Sequence, residues 1–79
     1  MTGNITVTKH ALGQFKKRII KDVNLNDSLA NQKVIKLFSQ AKYVGDNQNG
    51  ILFRNSNKRV EFIVKQRKIV TLFPIRRLK

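Results

Sequence analysis

The chain has no cysteine and no tryptophan, one histidine, one proline, one tyrosine and four acidic residues among 79. The missing cysteine excludes a disulfide framework, a thiolate zinc site and a cysteine nucleophile together. With a single histidine as well, a zinc site lacks its ligands. The acids Asp22, Asp27, Asp46 and Glu61 are scattered along the chain. A two-metal nuclease centre needs several oxygen ligands converging on ions about 3.5–4 Å apart, so none is expected, and no metal or other cofactor is implied. The glycines, at positions 3, 13, 45 and 50, have neither P-loop nor dinucleotide-binding spacing. No apolar run approaches the ~20 residues of a membrane span. Met1-Thr2-Gly3-Asn4 lacks the basic and apolar regions of a signal peptide. The expectation is a cytoplasmic protein with no membrane partner.

What is abundant is positive charge. Seventeen Lys and Arg against four acids leave a formal charge of +13. The cations Lys16, Lys17, Arg18, Lys33, Lys36, Arg54, Arg59, Lys65, Arg67, Lys68 and Arg76 are interleaved with apolar residues, so the charge belongs to a folded surface and not to a detachable tail. Self-repulsion in such a surface opposes compaction unless phosphate or salt neutralises it, which makes a polyanion the first partner to consider. Nucleic acid is expected, RNA ahead of DNA. The length suits one domain, residues 1–79, burying about 60% of the surface its unfolded chain exposes.

Hydrophobic periodicity divides the chain in two. Ile5 and Val7 alternate with Thr6 and Thr8, as in a short leading strand or extended arm. Ala11, Leu12, Phe15 and Ile19 then recur at helical spacing, with Thr8 as the N-cap, which predicts a helix over about 9–21. After the turn and cap residues Asn24, Asn26 and Asp27, the stripe Leu29, Ala30, Val34, Leu37, Phe38 and Ala41 predicts a second helix from Ser28 to Gln40. Beyond Tyr43 the period becomes that of strands. A short strand near Lys42–Val44, the polar linker Gly45–Gly50, and strands over Ile51–Arg54, Val60–Val64 and Ile69–Phe73 read as a meander, with Asn55–Lys58 as a turn. The fold class is α+β, two N-terminal helices followed by an antiparallel sheet of about four strands.

These residue types allow metal-independent chemistry. RNA carries its own nucleophile, so cleavage requires only deprotonation of a 2′-hydroxyl, stabilisation of charge on the phosphorane and protonation of the leaving oxygen. Cations can supply the second, and an imidazole can move a proton in either direction. His10, Gln14, Lys17, Arg18 and Lys21 lie three or four residues apart and form one polar stripe opposite Leu12, Phe15 and Ile19, which also suits an ordinary solvated face. Arg18 falls two turns from His10, about 12 Å along a helix axis. Tyr43, beside the polar loop, is the best candidate for stacking on a base, whereas Phe53, Phe62 and Phe73 alternate as core residues of a helix-covered sheet do.

The run His10-Ala11-Leu12-Gly13-Gln14-Phe15-Lys16-Lys17-Arg18, a second helix, and a meander closing on Ile69-Val70-Thr71-Leu72-Phe73 together resemble the RelE-like superfamily. That grouping of small metal-independent ribonucleases joins barnase, EndoU, the tRNA-cleaving colicins and RelE toxins, and includes phage and mobile-element members. The resemblance implies catalytic roles for His10, Arg18 and Thr71, and phosphate contacts from Arg54 or Lys65. Thr71 is equally at home as a β-branched strand residue, and Arg54 and Arg59 also suit positions flanking a turn. The chain departs from the pattern at Gln14, where related sequences often carry a basic residue, and in having no second His to act as conjugate acid.

The expected function is therefore a small basic endoribonuclease, toxin-like or a phage effector, cleaving by 2′-hydroxyl attack. Its catalytic residues would be His10, Arg18 and Thr71, and its RNA-binding residues Lys17, Lys21, Arg54, Arg59, Lys65 and Tyr43. The alternatives are a non-catalytic nucleic-acid-binding module, and a phage or mobile-element protein whose basic face docks on an acidic antitoxin or host protein and modulates it.

Overall fold

A computed structural model describes residues 5–75. Met1–Asn4 and Arg76, which entered the sequence reading, lie outside the described residues. Strand β1 (Thr6–Val7) leads into α1 (Lys9–Gln14), which continues as a π-helical segment (Phe15–Ile19). Helix α2 (Asp27–Ser39) follows, then β2 (Lys42–Asn47), β3 (Gly50–Asn55), β4 (Val60–Lys65) and β5 (Lys68–Pro74). The fold is α+β. One five-stranded sheet, in the order β1-β5-β4-β3-β2, carries the helices on one face.

The first helix starts where its cap chemistry says it should. Thr8 Oγ1 accepts from the Ala11 amide at 3.2 Å and donates to the Ile69 carbonyl at 3.1 Å, so one hydroxyl caps α1 and ties it to β5. The helix does not run regularly to residue 21. From Phe15 its bonds widen, with the Ile20 amide on the Phe15 carbonyl at 2.9 Å, and Lys21 leaves the helix in left-handed backbone geometry at φ 56°. The wide turn brings both Ile19 and Ile20 beside Phe15 and Val60 along one groove. In a regular helix successive side chains diverge too far for that. It also breaks the expected polar stripe, because Lys21 no longer follows the phase set by His10 and Gln14.

Helix α2 is capped by Asn26, whose Oδ1 accepts from the Ser28 and Leu29 amides at 2.7 and 3.3 Å. It buries Ala30, Val34 and Phe38 at i, i+4 and i+8. Phe38 meets Phe53 and Phe62 edge-to-face, with ring centroids 4.9 and 5.4 Å apart. Leu29, expected in this apolar stripe, is half exposed at the helix start. Phe62, Leu72, Ile69, Val60 and Val64 complete the core from the sheet.

The sheet has one strand more than expected. β1 pairs with β5 in parallel, and every other pairing is antiparallel. Ile5 and Val7 pack against the core, which is what recruits this short segment to the sheet edge. The Gly45–Gly50 linker is also largely strand: β2 runs on to Asn47 and a two-residue turn, Gln48-Asn49, leads into β3. Gly50 closes that turn at φ 141°, and a Cβ there would lie 2.5 Å from the Val64 carbonyl oxygen, so the position requires glycine. Register shifts at Val44 in β2 and around Val70 in β5 bend the two strands.

Candidate nucleic-acid interface

Side-chain alternation divides the sheet residues between two faces. Leu72, Ile69, Phe62 and Phe53 point to the helices. Thr71 and Phe73 on β5, Glu61, Ile63 and Lys65 on β4, and Leu52 on β3 point the other way, where no helix covers them. On that side an open groove of about 640 Å³ has Leu52, Ile63, Val70 and Phe73 as its floor and Thr71 and Lys65 at its margin. Phe73 thus joins this open floor and not the helix-covered core, because the shift around Val70 sets the face that the end of β5 presents.

The three residues named for catalysis are not brought together. His10 is exposed on α1 and Arg18 is exposed on the π segment, both on the helical side of the sheet, while Thr71 faces the helix-free groove on the opposite side. A phosphate held at His10 would have the thickness of the sheet between it and the Thr71 hydroxyl. Of the residues named for binding, Lys17 and Lys21 are exposed at the end of the first helix. Arg59 is exposed in the β3–β4 turn in left-handed geometry at φ 57°, its carbonyl accepting from the Ile75 amide at 2.9 Å. Lys65 shares the helix-free groove with Thr71.

Arg54 and Tyr43 are both engaged. Arg54 stands opposite Glu61 in register and donates to its carboxylate through Nε at 2.7 Å, which neutralises the cation locally. Tyr43 is 62% exposed, with its ring edge-on to Phe53 at 6.1 Å. Its hydroxyl donates to Asp46 Oδ1 at 3.0 Å, and that bond to a carboxylate pushes the phenol above its ordinary pKa. It lies on edge strand β2, pointing to the helical side and away from the groove that contains Thr71. On the helical side Lys16 pairs with Asp27, whose carboxyl is held below its ordinary range by the hydrogen bond and charge of that ammonium.

The charge of the surface is mostly unanswered. Fourteen of the seventeen Lys and Arg fall among the described residues, and all but Lys16 are exposed. Within that set only Lys16 and Arg54 are in ion pairs. Two cationic features escaped the sequence reading. Lys33, Lys36 and Lys58 rim a second groove, of about 570 Å³, floored by Phe15, Ile19, Ile20, Leu37 and Val60 between the first helix, α2 and the β3–β4 turn. These come from three segments that only the folded chain unites. The other is the β4–β5 turn, where Arg67 and Lys68 join Lys65 at one hairpin tip. Its signal was present in the sequence: four polar residues, three of them cationic, between two β-rich runs.

Among the described residues no helix is long and apolar enough to cross a membrane, and no cluster of three or more His, Asp or Glu could hold a metal ion. No protein-family model, curated protein or solved structure matches the chain.

Proposed function

We propose that this protein is a non-catalytic nucleic-acid-binding module, with single-stranded RNA as its ligand ahead of DNA. The observation that carries this reading is the uncompensated cation surplus on an ordered surface: thirteen exposed Lys and Arg, of which Arg54 alone is ion-paired among the described residues. Such a surface collects phosphates and releases their counterions on binding. The helix-free groove supports a single strand over a duplex, since its apolar floor can cover unstacked bases while Lys65 at its margin and Lys68 opposite hold the backbone. Two helices followed by an antiparallel meander support a RelE-like architecture. The separation of His10 from Thr71 across the sheet favours binding over cleavage in that architecture.

The test is a pair of measurements on the purified chain. Binding of a labelled oligouridine, followed by anisotropy across a salt series, is expected to give a log–log slope of about −3, from roughly four phosphates at ~0.7 each. Total RNA incubated in EDTA is expected to remain intact with the wild type and with His10→Ala alike. A salt-independent affinity, or no binding, would overturn the nucleic-acid reading. EDTA-resistant fragments from the wild type that disappear in His10→Ala would replace it with the endoribonuclease reading.

A further inference from the structure

The β4–β5 hairpin closes through Gln66 and Arg67, which both hold positive φ, 54° and 64°. A two-residue turn of this kind favours Asn-Gly, Asp-Gly or Gly-Gly, because an L side chain in left-handed geometry crowds its own backbone. Here neither position is glycine, asparagine or aspartate. The rung beneath the turn adds a second cost, for Lys65 and Lys68 are direct cross-strand partners, and like charges so placed repel. Both side chains are exposed on the helix-free face, and Lys65 reaches the groove there. Glu61, the one acid of that face among the described residues, is on the same strand four rungs further from the tip and is held by Arg54. The tip is nevertheless fixed. The Thr6 amide donates to the Arg67 carbonyl at 3.1 Å, and Thr6 pairs with Lys68, so β1 braces the turn from its other side.

A braced turn that retains an unfavourable residue and a repelling pair, both cationic, is tuned to something other than stability. We propose that Lys65, Arg67 and Lys68 form a phosphate clamp for the nucleic-acid backbone, at the end of the groove that covers the bases; the inference rests on the nucleic-acid-binding reading above. Lys65 and Lys68 have Cβ atoms about 4.5–5.5 Å apart, as in any directly opposed pair, which lets both ammonium groups reach one phosphate. Arg67 supplies a planar fork for a second phosphate by paired hydrogen bonds. The brace from β1 means that little ordering remains to be done when the strand arrives.

The experiment compares the wild type, Arg67→Gly and Lys9→Gln in oligouridine binding over a salt series, with a thermal melt of each. Arg67→Gly is expected to bind about 3- to 10-fold more weakly, with the salt slope reduced by roughly 0.7. It is also expected to melt about 4–8 °C higher, since glycine relieves the turn. Lys9→Gln, which removes one charge from the helical side outside both grooves, is expected to stay within about twofold of the wild type. If Arg67→Gly binds as tightly as the wild type, or Lys9→Gln loses as much as Arg67→Gly, the clamp is overturned while nucleic-acid binding stands. A fall in melting temperature for Arg67→Gly would refute the argument from the turn. Absence of RNA binding by the wild type removes both proposals.

Discussion

Tyr43 shows how one hydrogen bond alters the behaviour of an exposed residue. Its hydroxyl donates to Asp46, so the folded state holds the phenolic proton more tightly than the unfolded chain does. The resulting contribution to stability is present below the ordinary tyrosine value of about 10 and is lost as pH rises through the raised folded value. The chain has one tyrosine and no tryptophan, so a near-ultraviolet absorbance titration reports this group alone. The midpoint is expected above that of a free tyrosine, and Asp46→Asn is expected to bring it back. A wild-type midpoint at the free value would mean that the bond does not persist in solution. Asp27 has the opposite sign: its carboxyl is depressed by Lys16, so that contribution is present above the ordinary carboxylate range and lost as pH falls.

Among the elements, the joint between α2 and the β3–β4 turn depends on Asn55. It is 1% exposed, donates through Nδ2 to the Leu37 carbonyl at 2.9 Å, and accepts from the Lys58 amide at 3.1 Å. One side chain thereby satisfies a carbonyl in the last turn of a helix and an amide of a hairpin. Asn55→Ala leaves the Lys58 amide without its partner and the Leu37 carbonyl with the Gln40 amide at 3.2 Å, and is expected to cost about 1–3 kcal/mol, read as a lower urea midpoint with an unchanged slope. A loss below about 0.5 kcal/mol would indicate that water replaces the side chain. The helices and the meander were legible because their signals are local: the Thr8 and Asn26 caps, the Ala30/Val34/Phe38 spacing and the strand alternation all act within a few residues. The π turn, the β1–β5 pairing and the shifts at Val44 and Val70 were not, since each settles a fit between distant segments. Asn55 reads as a turn residue in the sequence, and its second bond exists only once Leu37 is beside it. For the candidate site, charge made a polyanion the first partner to consider but pointed to no face: alternation put Thr71 on a strand, and only the helices' packing decided which side of the sheet it occupies.

At the scale of the whole molecule, a formal charge of +13 on 79 residues sets the energetic background. Two ion pairs among the described residues leave most of the repulsion in place, so screening should favour the compact state. Adding sulfate or inorganic phosphate to a low-salt solution is expected to raise the thermal midpoint by about 4–8 °C, corresponding to ~1 kcal/mol for a domain of this size. A midpoint indifferent to these anions would mean that the cations are too widely spaced to oppose folding. The edges of the sheet carry a different consequence. β1 offers only two residues, while β2 is interrupted by the shift at Val44 and flanked by charged Lys42 and Asp46. A flat, uncharged edge would template the addition of strands from other copies, and these two features deny it that template, so the same irregularity that bends β2 also guards the chain against aggregation.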